Sequence, residues 1–266
     1  MNLSKVYQWT IFNLLQPPCP LCRLPAQAHS GLCAGCLADI TPVAEWQTGS
    51  QQGRCGACRC GLPLMAAHDR TEKPHGAAAL PPLCGRCLRR PPAFDRVVAP
   101  YTYQFPLDVL LLGYKRQRRL TLERPVLYLW ETQLAQIANG NLAVPRPEAL
   151  VPVPLHWRRL WWRGFNPAAR LTAVAAAVLD IPVLPALIRP AATRSQQGLG
   201  ASARRRNLRS AMAVDRPVTG LHLALIDDVV TTGSTAHAAS LALLRAGAAR
   251  VDVWALARTL PGPSDH

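Results

Sequence analysis

An apolar strand runs straight into two adjacent carboxylates and then into a Thr-, Gly- and Ser-rich turn that opens a helix. That order, at Leu223–Thr235, limits the fold more than any other stretch of the 266 residues. The segment reads Leu223-Ala224-Leu225-Ile226-Asp227-Asp228-Val229-Val230-Thr231-Thr232-Gly233-Ser234-Thr235. A strand apolar on both faces belongs in a parallel sheet covered by helices. Such open sheets bind ligands at the carboxyl ends of their strands. The turn lies at a helix N-terminus, where backbone N–H groups and the helix dipole favour a phosphate. Gly233 lets the backbone approach closely, and the hydroxyls add donors. Two carboxylates beside a phosphate need compensation, which ribose hydroxyls and a nearby Mg²⁺ can supply. The plain alternative is a strand-turn-helix with a polar cap.

The flanking sequence fits that sheet. Val97–Tyr103 is predicted as a strand, with helices over Leu107–Gln117 and Arg124–Ala138. A short strand covers Leu150–Pro154, and Asn166 caps a helix over Ala168–Leu179, with Pro167 where a missing N–H costs nothing. A strand near Ala186–Ile188, a polar loop over 190–203 and a basic helix near 203–210 follow. The chain closes with strand Leu221–Ile226, loop 227–234, helix 235–246 capped by Gly247, and strand Val251–Ala257. This alternation predicts an α/β fold, a parallel sheet flanked by helices.

All nine cysteines lie between residues 19 and 87. Eight form CxxC pairs: Cys19/Cys22, Cys33/Cys36, Cys55/Cys58 and Cys84/Cys87, leaving Cys60 over. No export signal precedes them, and no apolar run of about 18 residues could span a bilayer. The chain therefore reads as cytoplasmic, where clustered thiols serve first as metal ligands. Two knuckles complete a tetrahedral Cys₄ shell, so eight thiols suit two structural Zn²⁺ ions. Sequential pairing puts Cys19, Cys22, Cys33 and Cys36 in one site and Cys55, Cys58, Cys84 and Cys87 in the other; interleaved pairing is the rival. A small double zinc-ribbon domain over 1–92 and a sheet domain over 93–266 follow from this shift in composition.

The formal net charge is +15. Residues 100–266 carry 20 Lys and Arg against 10 Asp and Glu, so most of the excess belongs to the sheet domain and calls for an anionic partner. Around residue 160 the cations Arg158, Arg159 and Arg163 interleave with Trp157, Trp161, Trp162 and Phe165. Aromatic faces mixed with cations suit single-stranded nucleic acid. The bland reading puts the tryptophans in the core and the arginines on a solvated rim. His156 has no assigned chemistry. Lys115, with Arg116, Arg118 and Arg119, can face a pyrophosphate or DNA.

The Asp227–Thr235 segment resembles the phosphoribosyl pyrophosphate (PRPP) motif of type I phosphoribosyltransferases. That resemblance implies a PRPP site over Asp227, Asp228, Val229, Val230, Thr231, Thr232, Gly233, Ser234 and Thr235. The Asp pair would hold the ribose hydroxyls, Thr231–Thr235 the 5′-phosphate, and Mg²⁺ would accompany the ligand. Taken with the CxxC pairs, Tyr114-Lys115, Val151–His156, Arg163-Gly164-Phe165-Asn166 and Gln197–Leu208, the whole chain resembles the ComF/GntX family. The family is associated with natural transformation and DNA utilisation. That resemblance implies single-stranded DNA as partner, with a DNA-uptake helicase or pore protein as a candidate protein partner. Pro167 stands where the family usually has Gln, and the insertion over 61–83 lengthens the second ribbon. Two functions stay open: DNA handling, and transfer of ribose 5-phosphate from PRPP to a nitrogen acceptor.

Overall fold

The structure is a computed structural model that describes residues 17–40, 42, 85–116, 120–142, 144–189 and 212–259. Its elements run α1 (Ala34–Ala38), α2 (Gly85–Arg89), β1 (Arg96–Val98), β2 (Tyr101–Thr102) and α3 (Leu107–Arg116). They continue with a 3₁₀ turn (Leu120–Leu122), α4 (Glu123–Ala138), β3 (Ala149–Pro152), α5 (Trp157–Arg163) and α6 (Pro167–Leu179). The last part holds β4 (Leu187–Ile188), β5 (Ala213–Val214), β6 (His222–Val230), α7 (Ser234–Arg245) and β7 (Arg250–Arg258). Cys55, Cys58, Cys60 and Cys84, the 61–83 insertion, the 190–203 loop and the 203–210 basic helix lie outside the described residues.

The expected parallel sheet is present. Its order is β1-β7-β6-β3, every pairing parallel, with β2 running beside the far end of β7. A separate antiparallel pair joins β4 to β5. The strand expected over Val97–Tyr103 is instead two pieces, because Pro100 has no N–H to give the ladder and interrupts pairing between Val98 and Tyr101.

Alternation along β6 and β7 decides which side chain goes where. Ala224, Ile226, Trp254 and Leu256 enter the core on one face, under α3, α4 and α6. Leu223, Leu225, Val251, Val253 and Ala255 enter the other, with Ala236, Ala239 and Leu243 of α7. Both faces are therefore dry, as the continuous apolar strands require. At the amino-terminal edge Asp252 is fully buried, satisfied by Arg250 at 3.1 Å and His222 at 3.2 Å.

The first cysteine knuckle sits on the α4 side. Cys19, Ala26, Leu32, Cys33 and Ile40 share a core with Val126 and Leu129 of α4. His29 meets Tyr128 with ring centroids 5.4 Å apart. Gly31, at φ +69°, brings the chain so close that an added Cβ would lie 3.2 Å from Pro125 Cδ. Glycine is required there both by the left-handed backbone and by the close approach.

Candidate functional site

The strand expected to stop at Ile226 continues to Val230. The reason is tertiary: β7 keeps pairing through Asp227↔Ala255, Val229↔Ala257 and Val230↔Arg258. Asp227 and Asp228 are thus strand residues, both half-buried, and not members of a solvent-facing turn. Val229 and Val230 bury their side chains in the two cores, leaving only main chain to face a ligand. The loop proper is Thr231–Gly233, and Gly233 at φ +76° turns it into α7. Thr232 and Ser234 hydroxyls lie 2.9 Å apart at that turn.

Beside this strand end lies a cleft of about 210 Å³. Lys115, Arg159, Arg163, Asp227, Asp228 and Thr235, all singled out from sequence, line it together with Arg189. Lys115 Nζ reaches Asp228 Oδ1 at 2.8 Å. Burial, reinforced by the Asp228 charge, pushes the Asp227 carboxyl up to about 7. Arg163 and Arg189 are half-buried, and burial lowers both guanidinium pKa values. The Nε of Arg163 is shielded from water and makes no hydrogen bond. Four cations against two carboxylates leave the cleft electropositive, and its cations are incompletely satisfied by protein groups. An anion bearing several phosphates and a hydroxylated sugar matches that balance.

Local chemistry fixes these groups. Tyr114 is buried and donates to Glu123 Oε1 at 3.1 Å, while Arg170 grips the same carboxylate at 2.6 and 3.1 Å. The Arg170 hydrogen bond holds the Glu123 carboxyl below its ordinary value. Phe165 packs on the Tyr114 ring, centroids 4.8 Å apart. Lys115 is thereby aimed across the cleft. Asn166 does double duty: its Oδ1 accepts from Ala168 N at 3.1 Å, capping α6, and its Nδ2 donates to Val153 O at 2.9 Å. Pro167 follows at the first helical position and gives the cleft an apolar wall.

The tryptophan run is not core. α5 spans Trp157–Arg163 and has no buried residue. His156 caps it, with Nδ1 accepting from Arg158 N at 3.3 Å, and Gly164 ends it at φ +84°. Trp157 is 52% exposed, Trp161 82% and Trp162 57%, whereas Trp130 and Trp254 fill the core. Arg158 lies over the Trp157 ring at 5.2 Å. The expected residues around 160 therefore separate: Arg159 and Arg163 line the cleft, while Trp157, Arg158 and Trp161 are not among its lining residues. Arg189 escaped the sequence reading. Its only signal is a lone arginine directly after the strand Leu187–Ile188.

At the knuckle, one ligand atom from each of Cys19, Cys22, Cys33 and Cys36 lies within 4.8 Å of the other three. Cys22 and Cys33 sulfurs are 3.4 Å apart. A zinc tetrahedron with bonds of about 2.3 Å needs sulfurs about 3.8 Å apart, so the donor set suits zinc. The set is the sequentially paired one. Burial disfavours the Cys19 thiolate, yet backbone N–H groups of Cys33, Cys22 and Leu21 outweigh it and bring the thiol down to about 7. Of the second expected set, Cys87 alone is among the described residues, and it is buried.

Among the described residues, no helix is long and apolar enough to cross a membrane. No protein-family model matches the chain. DNA utilization protein YhgH of Salmonella typhi is 38% identical over 247 residues, covering 91% of this chain and 97% of that protein. YhgH of Escherichia coli strain K12 is 37% identical with the same coverage. Competence protein F of Haemophilus influenzae is 34% identical over 235 residues, covering 87% and 92%. Among solved structures, glutamine PRPP amidotransferase from B. subtilis matches with 19% identity and a TM-score of 0.34, over 49% of this chain and 27% of that one. Purine phosphoribosyltransferase from Pyrococcus horikoshii matches with 14% identity and a TM-score of 0.33, over 52% and 79%.

Proposed function

This chain belongs to the family of DNA utilization protein YhgH and competence protein F, and from that premise we propose that it handles single-stranded DNA in the cytoplasm. One observation carries the reading: α5 offers three exposed tryptophans while two of its arginines line a cleft already rich in cations. Bases stack on indole faces irrespective of sequence, and phosphates pair with guanidinium groups. A strand crossing α5 would meet both.

The adjacent cleft is the PRPP-type pocket. Asp227 and Asp228 would accept from ribose hydroxyls, Thr231–Thr235 would take the 5′-phosphate, and Lys115, Arg159, Arg163 and Arg189 would meet the pyrophosphate. Mg²⁺ bound with PRPP would supply further neutralisation of the pyrophosphate charge. Residues 1–92 act as the metal-organised module, with Zn²⁺ held by Cys19, Cys22, Cys33 and Cys36 fixing the knuckle, and residues 93–266 carry the ligand sites. A DNA-uptake helicase or pore protein is the partner expected of such a module.

A second reading, transfer of ribose 5-phosphate to a nitrogen acceptor, draws on Asp227. A carboxyl pushed up to about 7 can take a proton from an acceptor near neutrality. Thermal stabilisation by single-stranded oligonucleotide, beside that by PRPP with Mg²⁺, tests both. DNA handling predicts stabilisation by the oligonucleotide. Acceptor-dependent pyrophosphate release with no DNA affinity would favour the transferase.

A further inference from the structure

Glu123, the first residue of α4, stands between the cysteine knuckle and the cleft. On one side the knuckle grips the same turn of the helix. A Cβ added at Gly31 would lie 3.2 Å from Pro125 Cδ and 3.5 Å from Arg124 Cδ, and His29 meets Tyr128 about one turn further on. On the other side Glu123 accepts from Tyr114 and from Arg170, so one carboxylate joins α3 to α6. Lys115 of α3 lines the cleft, and so do Asn166, Pro167 and Ala168 at the start of α6. Resting on the reading of the Asp227–Asp228 cleft as the ligand pocket, we propose that Glu123 is a positioning residue through which the seat of the knuckle on α4 sets the geometry of that cleft.

Lys115 is the penultimate residue of α3, and its Nζ reaches Asp228 at 2.8 Å. Its flexible four-carbon stem keeps that place only if the backbone beneath it is fixed. Tyr114 fixes it, buried beside the lysine with its hydroxyl on Glu123. Leu122 adds a second hold: a Cβ at Gly113 would fall 2.5 Å from its Cδ1, so α3 and the turn before α4 have no slack between them. The Glu123 side chain is only 16% exposed. Pulling it from Tyr114 and Arg170 would leave a largely buried carboxylate unpaired, so its partners follow when the first turn of α4 shifts. The packing is continuous as well, since Leu32 and Cys33 of the knuckle share one core with Leu110, Tyr114 and Val126. Close-packed interiors transmit strain where a looser contact would absorb it. The knuckle thus bears on the cleft without contributing a residue to its lining.

The test uses the full zinc-loaded chain, whose lysines are Lys5, Lys73 and Lys115 alone. Reductive methylation with ¹³C-formaldehyde gives each a methyl signal, and the signal lost in Lys115→Arg is that of Lys115. It should move in Gly31→Ala and in Glu123→Gln, with zinc content unchanged. His29→Ala and Arg170→Met, both at exposed side chains, repeat the measurement should either of the first two variants fail to fold. A Lys115 signal unmoved by the knuckle changes overturns the relay. Calorimetry with PRPP and Mg²⁺ reads the consequence for the ligand. Gly31→Ala and Glu123→Gln should each weaken binding about fivefold or more, as coupling between sites allows. Combined, they should weaken it no further than Glu123→Gln alone, because the strain reaches the cleft through that carboxylate. Effects that multiply in the double variant mean two independent faults and overturn the relay. A Lys115 signal that moves as expected, in a protein whose wild type takes no PRPP, upholds the relay and overturns the PRPP-type pocket.

Discussion

Lys115 Nζ stands 2.8 Å from Asp228 Oδ1 across the cleft, with 19% of the lysine side chain and 14% of the aspartate side chain exposed. The pair ties α3 to the end of β6 and offsets one of two adjacent carboxylates. Lys115→Met would leave Asp228 facing Asp227 without its cation. We expect stability to fall by about 1–3 kcal/mol, the cost of an unsatisfied partly buried acceptor. PRPP affinity should fall roughly tenfold, from the loss of one charge-assisted contact. Denaturant unfolding and calorimetry read the two effects separately; unchanged PRPP affinity would remove Lys115 from the pocket.

Asp227 makes stability depend on pH in a defined direction. Its carboxyl rises from an ordinary value near 3.8 in the unfolded chain to about 7 in the folded one. Between those values the folded chain holds a proton that the unfolded chain has released, so this group makes stability decline as pH rises from about 4 to about 7. Asp227→Asn should remove that decline, raising the melting temperature relative to wild type more at pH 8 than at pH 5. A difference of opposite sign would mean that the Asp227 carboxyl is ionised in the fold well below neutrality.

The knuckle is both metal site and packing element. Because Cys33 is 7% exposed and shares a core with Leu32, Ile40 and Val126, Cys33→Ser should lose one zinc and expose apolar surface on α4. Elemental analysis should give two zinc ions for wild type and one for the variant; one ion in wild type would sink the second site. Gly31→Ala forces a side chain into a left-handed backbone against Pro125 and should cost about 1–3 kcal/mol without changing zinc content.

Much of the fold was legible because β6 and β7 are apolar on both faces, and the alternation of strands and helices around the segment at 223–235 argues for a covered parallel sheet. Where β6 ends was not legible. Paired aspartates look like a strand terminus, and only the neighbouring β7 carries the ladder on to Val230. The helix Trp157–Arg163 was missed because it buries nothing, so no helical stripe marks it. That the same residues split between cleft and outer surface follows from the helix, not from their spacing on paper. Arg189 reaches the cleft from an antiparallel pair far along the chain, and a single arginine at a strand end carries no local pattern. The seat of the knuckle on α4 is likewise long-range information, held by Leu32 and Gly31 against residues about a hundred positions away.

Single-stranded DNA affinity as a function of salt tests the central claim most directly. The slope of log K against log salt should be about −0.7 for each phosphate neutralised. Changing Arg158, Arg159 and Arg163 together to Ala should flatten it by roughly one to two units. Trp161 is 82% exposed, so its change to Ala should leave the core packing in place. Trp161→Ala should then weaken binding by about 1–3 kcal/mol at an unchanged slope, since stacking releases no counterions. Salt-insensitive binding, or binding equally tight in both variants, would contradict the account.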